Sequence, residues 1–126
     1  MNILILDDME IRHKGFKKIF AGTSHRLFHA YSFNDAQHIV LNNKIEMACL
    51  DHDLGDEDPE TASFYYDDYG NRRFYNGAHF AFWLSNQEGC IPSRIVIHSH
   101  NPEGAKRMEA YLRPHVQMIL VREFKM

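Results

Sequence analysis

Residues 2–8 read NILILDD and residues 46–53 read EMACLDHD, so a short apolar run ends in acidic residues at two places in the chain. Continuous apolar runs of this length are typical of parallel strands that are buried on both faces. Three more segments have strand-like composition: HRLFHAY at 25–31, RIVIH at 94–98 and VQMILV at 116–121. The sequence therefore predicts five strands, and the first and third deliver carboxylates at their carboxyl ends.

The segment between the first two strands, residues 9–21, has the period of an amphipathic helix. Its apolar side chains, which include Ile11, Phe16 and Ile19, recur at helical spacing. The basic side chains of the same segment, Arg12 among them, are predicted to face mostly outward. This pattern predicts a first helix with Ile11 and Ile19 on its apolar face.

Three further helices complete the predicted pattern. Ser32 followed by Asp35 is close to a capping box and begins the second helix, and residues 77–88 form the third. The fourth begins at Asn101, with Pro102 at its first helical position. The order of elements is then β-α-β-α-β-loop-α-β-α-β, which predicts a parallel sheet with right-handed crossovers.

This order predicts an α/β fold of the flavodoxin-like, doubly wound type, with five parallel strands in the order 2-1-3-4-5. We interpret residues 1–126 as a single domain with a long loop over about residues 52–76. The last helix, after the fifth strand, is predicted to be missing or truncated. Part of one sheet face would then be covered by the long loop or by the second subunit of a homodimer.

Composition argues against several classes of protein. The formal net charge is −3, and the two cysteines, Cys49 and Cys90, do not make a disulfide framework. A net negative charge argues against a nucleic-acid duplex as the partner. The longest apolar stretches are far below the roughly 20 residues that a membrane helix needs. Since Met1 leads directly into a strand-like run, without a signal-peptide pattern, the expectation is a cytoplasmic protein with no membrane contact.

Three sequence-distant segments are predicted to converge on one edge of the sheet. Open α/β sheets bind their ligands at the carboxyl ends of the strands, near the switch point of strand order. A single acid at a strand end is often only a turn residue, so it is the convergence of several side chains that favours a functional site. The converging side chains are Asp7, Asp8, Asp51, His52, Asp53, His98, Ser99 and His100.

So many carboxylates would repel one another unless a cation compensated them. Asp7, Asp8, Asp51 and Asp53 are therefore candidate ligands of a divalent metal ion. Carboxylates alone favour Mg²⁺ or Mn²⁺, whereas added imidazoles shift the preference toward Mn²⁺, Fe²⁺ or Zn²⁺. The helix that begins at Asn101 adds free backbone N–H groups, which suit an anion such as a phosphate.

The acid pair at 7–8, the acid at 51 and the segment AYSFNDA at 30–36 resemble the receiver domains of response regulators. The resemblance implies that these acids hold Mg²⁺ and that Asp51 accepts a phosphoryl group. Two features depart from it: HSHN follows the fourth strand in place of the usual threonine or serine, and Arg122 follows the fifth in place of the usual lysine and proline. The departures argue against conventional phosphoryl signalling.

Three stretches are closer to a divergent group, the cyclic-phosphate processing receiver-like domains. They are LDD at 6–8, LDHDLG at 50–55 and HSHNPEGA at 98–105. This resemblance covers roughly residues 2–121, and it implies action on a cyclic phosphate rather than phosphoryl relay.

The first functional hypothesis is a metal-dependent phosphodiesterase that hydrolyses a cyclic phosphate, such as a cyclic nucleotide or a 2′,3′-cyclic phosphate. A bound Mg²⁺, Mn²⁺ or Zn²⁺ would lower the pKa of a water molecule, and a histidine would protonate the leaving alkoxide. The candidate catalytic residues are His52, His98 and His100. The candidate substrate-binding residues are Ser99, Asn101, Arg72 and Arg73.

Two alternatives stay open. One is a non-catalytic receiver-like module that binds a nucleotide or a partner, and the other is a phosphoacceptor receiver domain that uses Asp51. Arg72 and Arg73 lie in an aromatic loop and would contact a second phosphate of the substrate. Simple packing of this loop over the sheet edge is the plainer explanation.

Overall fold

The computed structural model describes residues 1–55 and 62–122. Its strands are β1 (Asn2–Leu6), β2 (Arg26–Ala30), β3 (Met47–Leu50), β4 (Phe64–Tyr66), β5 (Arg72–Phe74), β6 (Arg94–His98) and β7 (Met118–Arg122). Its helices are α1 (Glu10–Ile19), α2 (Phe33–Asn42), α3 (Gly77–Ser85) and α4 (Pro102–Leu112), and a 3₁₀ turn (Arg113–His115) follows α4.

Five parallel strands form the main sheet, in the order β2-β1-β3-β6-β7. Because β6 and β7 are the fourth and fifth of the predicted strands, the predicted order 2-1-3-4-5 is confirmed. The register places Leu6 opposite Leu50, and Leu50 opposite Ile97. The three central strands therefore end at the same edge of the sheet.

Two hydrophobic clusters lie on opposite faces of this sheet. Successive residues of a strand point to opposite faces, so Leu4 and Leu6 join a large cluster with α2, α3 and α4. Ile3 and Ile5 join a smaller cluster with Phe16 of α1. Each such side chain, when fully buried, contributes about 1.5–3 kcal/mol to folding. The larger cluster is therefore the main source of hydrophobic stabilisation.

The helix starts agree with the predicted caps. The Ser32 hydroxyl accepts a hydrogen bond from the Asp35 N–H at 3.2 Å. The Asn101 side chain accepts one from the Gly104 N–H at 3.0 Å, with Pro102 at the first helical position. In the part of the chain that the structure describes, no helix is both long enough and apolar enough to cross a membrane.

Part of the predicted loop at 52–76 is regular, so that prediction is wrong for the segment from Phe64 to Phe74. Strands β4 and β5 pair there as an antiparallel hairpin. The carboxylate of Asp67 accepts hydrogen bonds from the N–H groups of Tyr69 and Asn71 at 2.9 Å each. This local turn chemistry closes a short hairpin whose strands carry aromatic residues. Residues 56–61 of the predicted loop lie outside the described residues.

The face of helix α1 that packs on the sheet differs from the predicted face. Ile11 and Ile19, predicted to face inward, are 52% and 60% exposed, whereas His13 and Phe16 are buried. Arg12, predicted to face outward, has a side chain that is only 13% exposed. The cause is electrostatic, because Arg12 and His13 pair with groups at the end of β1, as described below.

One strip of the sheet, at strand β7, has little cover. Met118, Leu120 and Val121 are among the exposed large hydrophobic residues, and no helix follows β7 within residues 1–55 and 62–122. An exposed apolar strip of this kind is typical of interaction surfaces. That a second copy of the chain covers it stays a prediction.

Gly77 sets how closely α3 approaches the end of β3. A Cβ atom at this position would lie 2.0 Å from the main-chain oxygen of Asp51 and 2.7 Å from Cα of His52. We expect Gly77→Ala to reduce the free energy of unfolding by about 1–3 kcal/mol, the range typical of overpacking. Chemical denaturation followed by circular dichroism measures it.

The control is Lys18→Ala at an exposed position of α1, where we expect a change within about 0.5 kcal/mol. A Gly77→Ala protein as stable as the wild type would show that α3 can move away from β3 without penalty.

Candidate metal and phosphate site

Two carboxylates and one imidazole meet where the central strands end. Asp7 follows β1, Asp51 follows β3, and His98 is the last residue of β6. One ligand atom from each lies within 4.8 Å of the others. The three residues, which we call the central triad, are 0%, 3% and 1% exposed. Sequence-distant groups are therefore concentrated in one nearly dry place.

The backbone holds both acids in position. The N–H of Asp7 donates to Ala30 O at 3.1 Å, and the N–H of Asp51 donates to Leu6 O at 2.9 Å. The parallel pairing is thus continued one residue beyond each strand. The Met9 N–H then donates to Oδ1 of Asp7 at 2.9 Å. Oδ2 of Asp7 is directed to the rest of the triad.

That second oxygen of Asp7 lies 2.9 Å from Nε2 of His98. Burial alone would raise the pKa of Asp7, but the His98 hydrogen bond and the Met9 N–H together hold that pKa below its usual value. Burial lowers the pKa of His98 in spite of its hydrogen bond to Asp7. The pair is therefore an ionised carboxylate and a neutral imidazole, whose Nε2–H donates to Asp7.

Asp51 has the opposite protonation behaviour. Burial, followed by the nearby charge of Asp7, raises its pKa to about 8, although the Arg12 guanidinium acts in the other direction. Two carboxyl groups that share one desolvated site cannot both ionise easily, because their negative charges repel. Asp51 therefore retains a proton near neutral pH unless a further cation binds to the triad.

Arg12 supplies a cation that sequence reasoning missed. Its Nη1 lies 3.2 Å from Oδ2 of Asp7 and 3.2 Å from Oδ2 of Asp51. A signal was available in the sequence, since Arg12 and Phe16 are four residues apart and so lie on the same face of a helix. Once Phe16 faces the sheet, Arg12 faces the strand ends.

Sequence reasoning also missed His13, which stabilises the backbone of Asp7. Its Nε2–H donates to the main-chain oxygen of Asp7 at 2.7 Å. Its Nδ1 lies 2.6 Å from Nδ1 of His29, and its ring stacks on Tyr31 at a centroid distance of 4.0 Å. Burial and the neighbouring His13 lower the pKa of His29. The buried imidazole of His13, which is paired with the half-buried His29, thus fixes the backbone of Asp7.

Two of the predicted metal ligands lie outside the triad. Asp8 directs Oδ2 to the N–H of Gly55 at 3.0 Å, which holds the start of the loop after β3. Asp53 is about half exposed and pairs with Nδ1 of His52 at 2.7 Å. The arrangement arises because only the first residue after each strand still follows the strand direction.

His52, predicted to be catalytic, is buried against α4. Its ring lies beside Gly104, where a Cβ atom would be 2.3 Å from Cδ2 of the imidazole. The amide nitrogen of Asn101 lies 3.3 Å from its Nδ1. Nε2 has no hydrogen-bond partner among the described residues. The structure thus places His52 between β3 and α4, at the start of the helix that carries Asn101.

The imidazoles of His98 and His100, which are predicted to face one crevice, lie in different places in the structure. His98 is buried in the triad, whereas His100 is exposed and lines a cleft between α4 and β7 together with Ser99 and Lys106. Strand alternation stops at His98, where β6 ends. The following segment turns because the Ser99 hydroxyl accepts from the Asn101 N–H at 3.0 Å.

Arg72 and Arg73 belong to the β4–β5 hairpin. Arg72 lies over the Phe64 ring, with its guanidinium carbon 4.3 Å from the ring centroid. Nε of Arg73 donates to the Asp67 carboxylate at 3.0 Å. These two contacts lie within the hairpin. The neighbouring Tyr75 stacks on Phe33 at 4.3 Å, as expected for simple packing.

The fold defines the class of protein: it is that of receiver domains. The chain is similar to the signal receiver domain of a putative Luxo repressor protein from Vibrio parahaemolyticus, with a TM-score of 0.67 and 17% identity over 98% of this chain and 79% of that one. The Mn²⁺-bound form of response regulator Rcp1 gives a TM-score of 0.67 and 13% identity, over 99% of this chain and 83% of that one.

A longer protein, NtrX from Brucella abortus, matches with a TM-score of 0.65 and 17% identity. The match covers 98% of this chain and 24% of that one, so the present chain spans about a quarter of its length. The particular family follows from the sequence: the model of the cyclic-phosphate processing receiver domain matches residues 2–114, and the chain belongs to that family. Comparison with curated proteins gives no match.

The raised pKa of Asp51 predicts a pH dependence of stability. Between the ordinary carboxyl pKa of 3.8 and the folded value of about 8, the folded state binds a proton that the unfolded chain has released. Raising the pH through this window therefore favours unfolding. We expect the wild type to lose stability relative to Asp51→Asn between about pH 4 and about pH 8.

Denaturant unfolding at several pH values, with a chelator present, measures this difference. Since other groups titrate in both proteins, only the difference between the two curves reports Asp51. Parallel curves over the whole range would mean that the Asp51 carboxyl is ionised throughout.

Proposed function

We propose that this chain is a metal-dependent phosphodiesterase that opens a cyclic phosphate, such as a cyclic nucleotide or a 2′,3′-cyclic phosphate. The observation that carries the proposal is the central triad, in which two carboxylates and an imidazole lie within 4.8 Å of one another. Membership of the cyclic-phosphate processing family supports the choice of substrate class.

The donor set suits a divalent ion. Asp7 is held ionised, and the neutral imidazole of His98 is the form that binds metal. Two oxygens and one nitrogen fit Mg²⁺ less well than Mn²⁺ or Zn²⁺. When bound, such an ion would polarise the phosphoryl group and lower the pKa of a water molecule. Asp7, Asp51 and His98 are the residues that would hold it.

The two histidines of the HSHN stretch take separate roles in this proposal. His98 would act as a metal ligand by giving up the Nε2–H hydrogen bond to Asp7, with the imidazole proton moved to Nδ1. His100 is exposed at the cleft between α4 and β7, from which we expect it to reach a bound substrate. In hydrolysis, the water oxygen forms a bond to phosphorus and the water releases one proton to the solvent. One ester P–O bond breaks, and the leaving alkoxide takes a proton. His100 donates that proton, for which an imidazole is suited.

The start of α4 serves the phosphate in this proposal. Asn101 caps the helix and also contacts the His52 ring, so the first turn of α4 is fixed beside the loop that follows β3. The Ser99 hydroxyl and the N–H of Glu103 would receive a non-bridging oxygen. Pro102 has no N–H, and the Gly104 N–H already donates to the Asn101 side chain. Asp8, His52 and Asp53 keep supporting roles in the loop after β3, and Arg72 and Arg73 would act on a distal part of a larger substrate.

The first test separates the two histidines. We expect His98→Ala to lose affinity for Mn²⁺, and His100→Ala to retain that affinity and lose turnover by roughly 10²–10⁴-fold. Calorimetry with Mn²⁺ and product analysis with a set of cyclic phosphates measure the two effects. A substrate with a better leaving group should rescue His100→Ala alone, because it does not need the proton.

If both variants hydrolyse cyclic phosphates at the wild-type rate, the role of the HSHN stretch is wrong. A wild type that binds cyclic phosphates without turning them over would favour the non-catalytic module. Stable phosphorylation of Asp51 by a small phosphodonor, without hydrolysis of cyclic phosphates, would favour the phosphoacceptor receiver.

The second test concerns the carboxylate of Asp51. We expect Asp51→Asn to bind Mn²⁺ more weakly, because a neutral amide is a poorer ligand for a hard cation than a carboxylate. Calorimetry at a pH above about 8, where Asp51 is ionised, gives the largest difference. Asp68→Asn, an exposed acid of the hairpin turn, is the control. Equal affinity in Asp51→Asn and the wild type would remove Asp51 from the ligand set.

A further inference from the structure

Arg12 contacts both carboxylates of the central triad. Its Nη1 lies 3.2 Å from each of two oxygens, Oδ2 of Asp7 and Oδ2 of Asp51. Its side chain is 13% exposed. A guanidinium group does not lose its proton in proteins. Arg12 is therefore a permanent cation, attached to α1, that contacts the same carboxylates as the proposed metal ion.

When both acids are ionised, this cation balances only part of the negative charge of the site. Asp7 and Asp51 carry two negative charges when both ionise, His98 is neutral, and Arg12 contributes one positive charge. A divalent ion would balance the carboxylates more fully. Two cations at one pair of oxygens repel strongly at low dielectric, so a metal ion and Arg12 compete for Asp7 and Asp51.

We propose that Arg12 is a phosphate-binding residue that exchanges partners. It pairs with the two carboxylates in the metal-free protein, and it pairs with the substrate's phosphate once a divalent ion takes its place. This inference rests on the proposed function. The planar fork of donors on arginine matches phosphate oxygens in the same bidentate way as it matches carboxylates. Since Arg12 is in the first turn of α1, a small swing of its side chain keeps it beside the triad.

Three variants test the exchange. Arg12→Gln removes the charge and keeps a polar side chain, Arg12→Lys keeps the charge and removes the fork, and Lys18→Gln removes one charge from an exposed position of the same helix. The first probe is Mn²⁺ alone, titrated by calorimetry. The second is inorganic phosphate, titrated in the presence of saturating Mg²⁺. Circular dichroism checks that each variant folds.

We expect Arg12→Gln to bind Mn²⁺ about tenfold more tightly than the wild type and phosphate about tenfold more weakly, as for loss of a charge-assisted hydrogen bond. Arg12→Lys should bind Mn²⁺ like the wild type and phosphate more weakly, and it carries the phosphate test if Arg12→Gln does not fold. Lys18→Gln should change either affinity by less than about twofold, because an exposed charge is screened.

Two results overturn the exchange while leaving the metal site intact. They are Mn²⁺ binding to Arg12→Gln that is no tighter than to the wild type, and phosphate binding that is unchanged in Arg12→Gln. A different result, in which neither the wild type nor Arg12→Gln binds Mn²⁺, overturns the proposed metal-dependent function and the exchange together. The failure of one proposal is thereby distinguished from the failure of both.

Discussion

The burial of two carboxylates at one place is the constraint on which the rest of this structure depends. Asp7 and Asp51 follow adjacent parallel strands and lose nearly all contact with water. Charges in such a place must be paired, hydrogen-bonded or neutralised. The structure uses all three means: Arg12 contacts both acids, His98 and the Met9 N–H bond to Asp7, and Asp51 has a raised pKa.

The orientation of α1 follows from the same constraint. A helix placed by hydrophobic contact alone would turn Ile11 and Ile19 toward the sheet. Instead, both are exposed, and the helix directs Arg12 and His13 to the end of β1. The apolar burial that is lost at Ile11 and Ile19 is offset because Arg12 compensates the charge of the buried carboxylates. Electrostatic interactions are stronger in such a desolvated site than in water.

The sequence carries the fold and part of the site for identifiable reasons. Apolar runs such as NILIL mark buried strands, and the acid that follows each run marks a strand end, so Asp7 and Asp51 could be placed together from topology alone. Strand alternation could not be extended to His100, because the turn after β6 depends on the hydroxyl of Ser99. The direction of the Asp8 side chain could not be predicted for a related reason, since its Oδ2 accepts from the Gly55 N–H. Such local hydrogen bonds leave no period in the sequence.

Within the receiver fold, the proposal of hydrolysis rather than phosphoryl relay rests on the two imidazoles of His98 and His100. Transfer of a phosphoryl group to a carboxylate needs positioning and charge stabilisation, which two acids and a cation already provide. Opening a cyclic phosphate also requires a proton for the leaving oxygen, and the stretch from His98 to Asn101 brings two imidazoles to the strand end where the resemblance to receivers leads one to expect a hydroxyl. Because His98 is bonded to Asp7 at 2.9 Å and is nearly inaccessible, it cannot deliver that proton to a substrate in solution. In the proposed function, the different roles of the buried imidazole of His98, as a metal ligand, and of the exposed imidazole of His100, as the proton donor, follow from the point at which β6 ends.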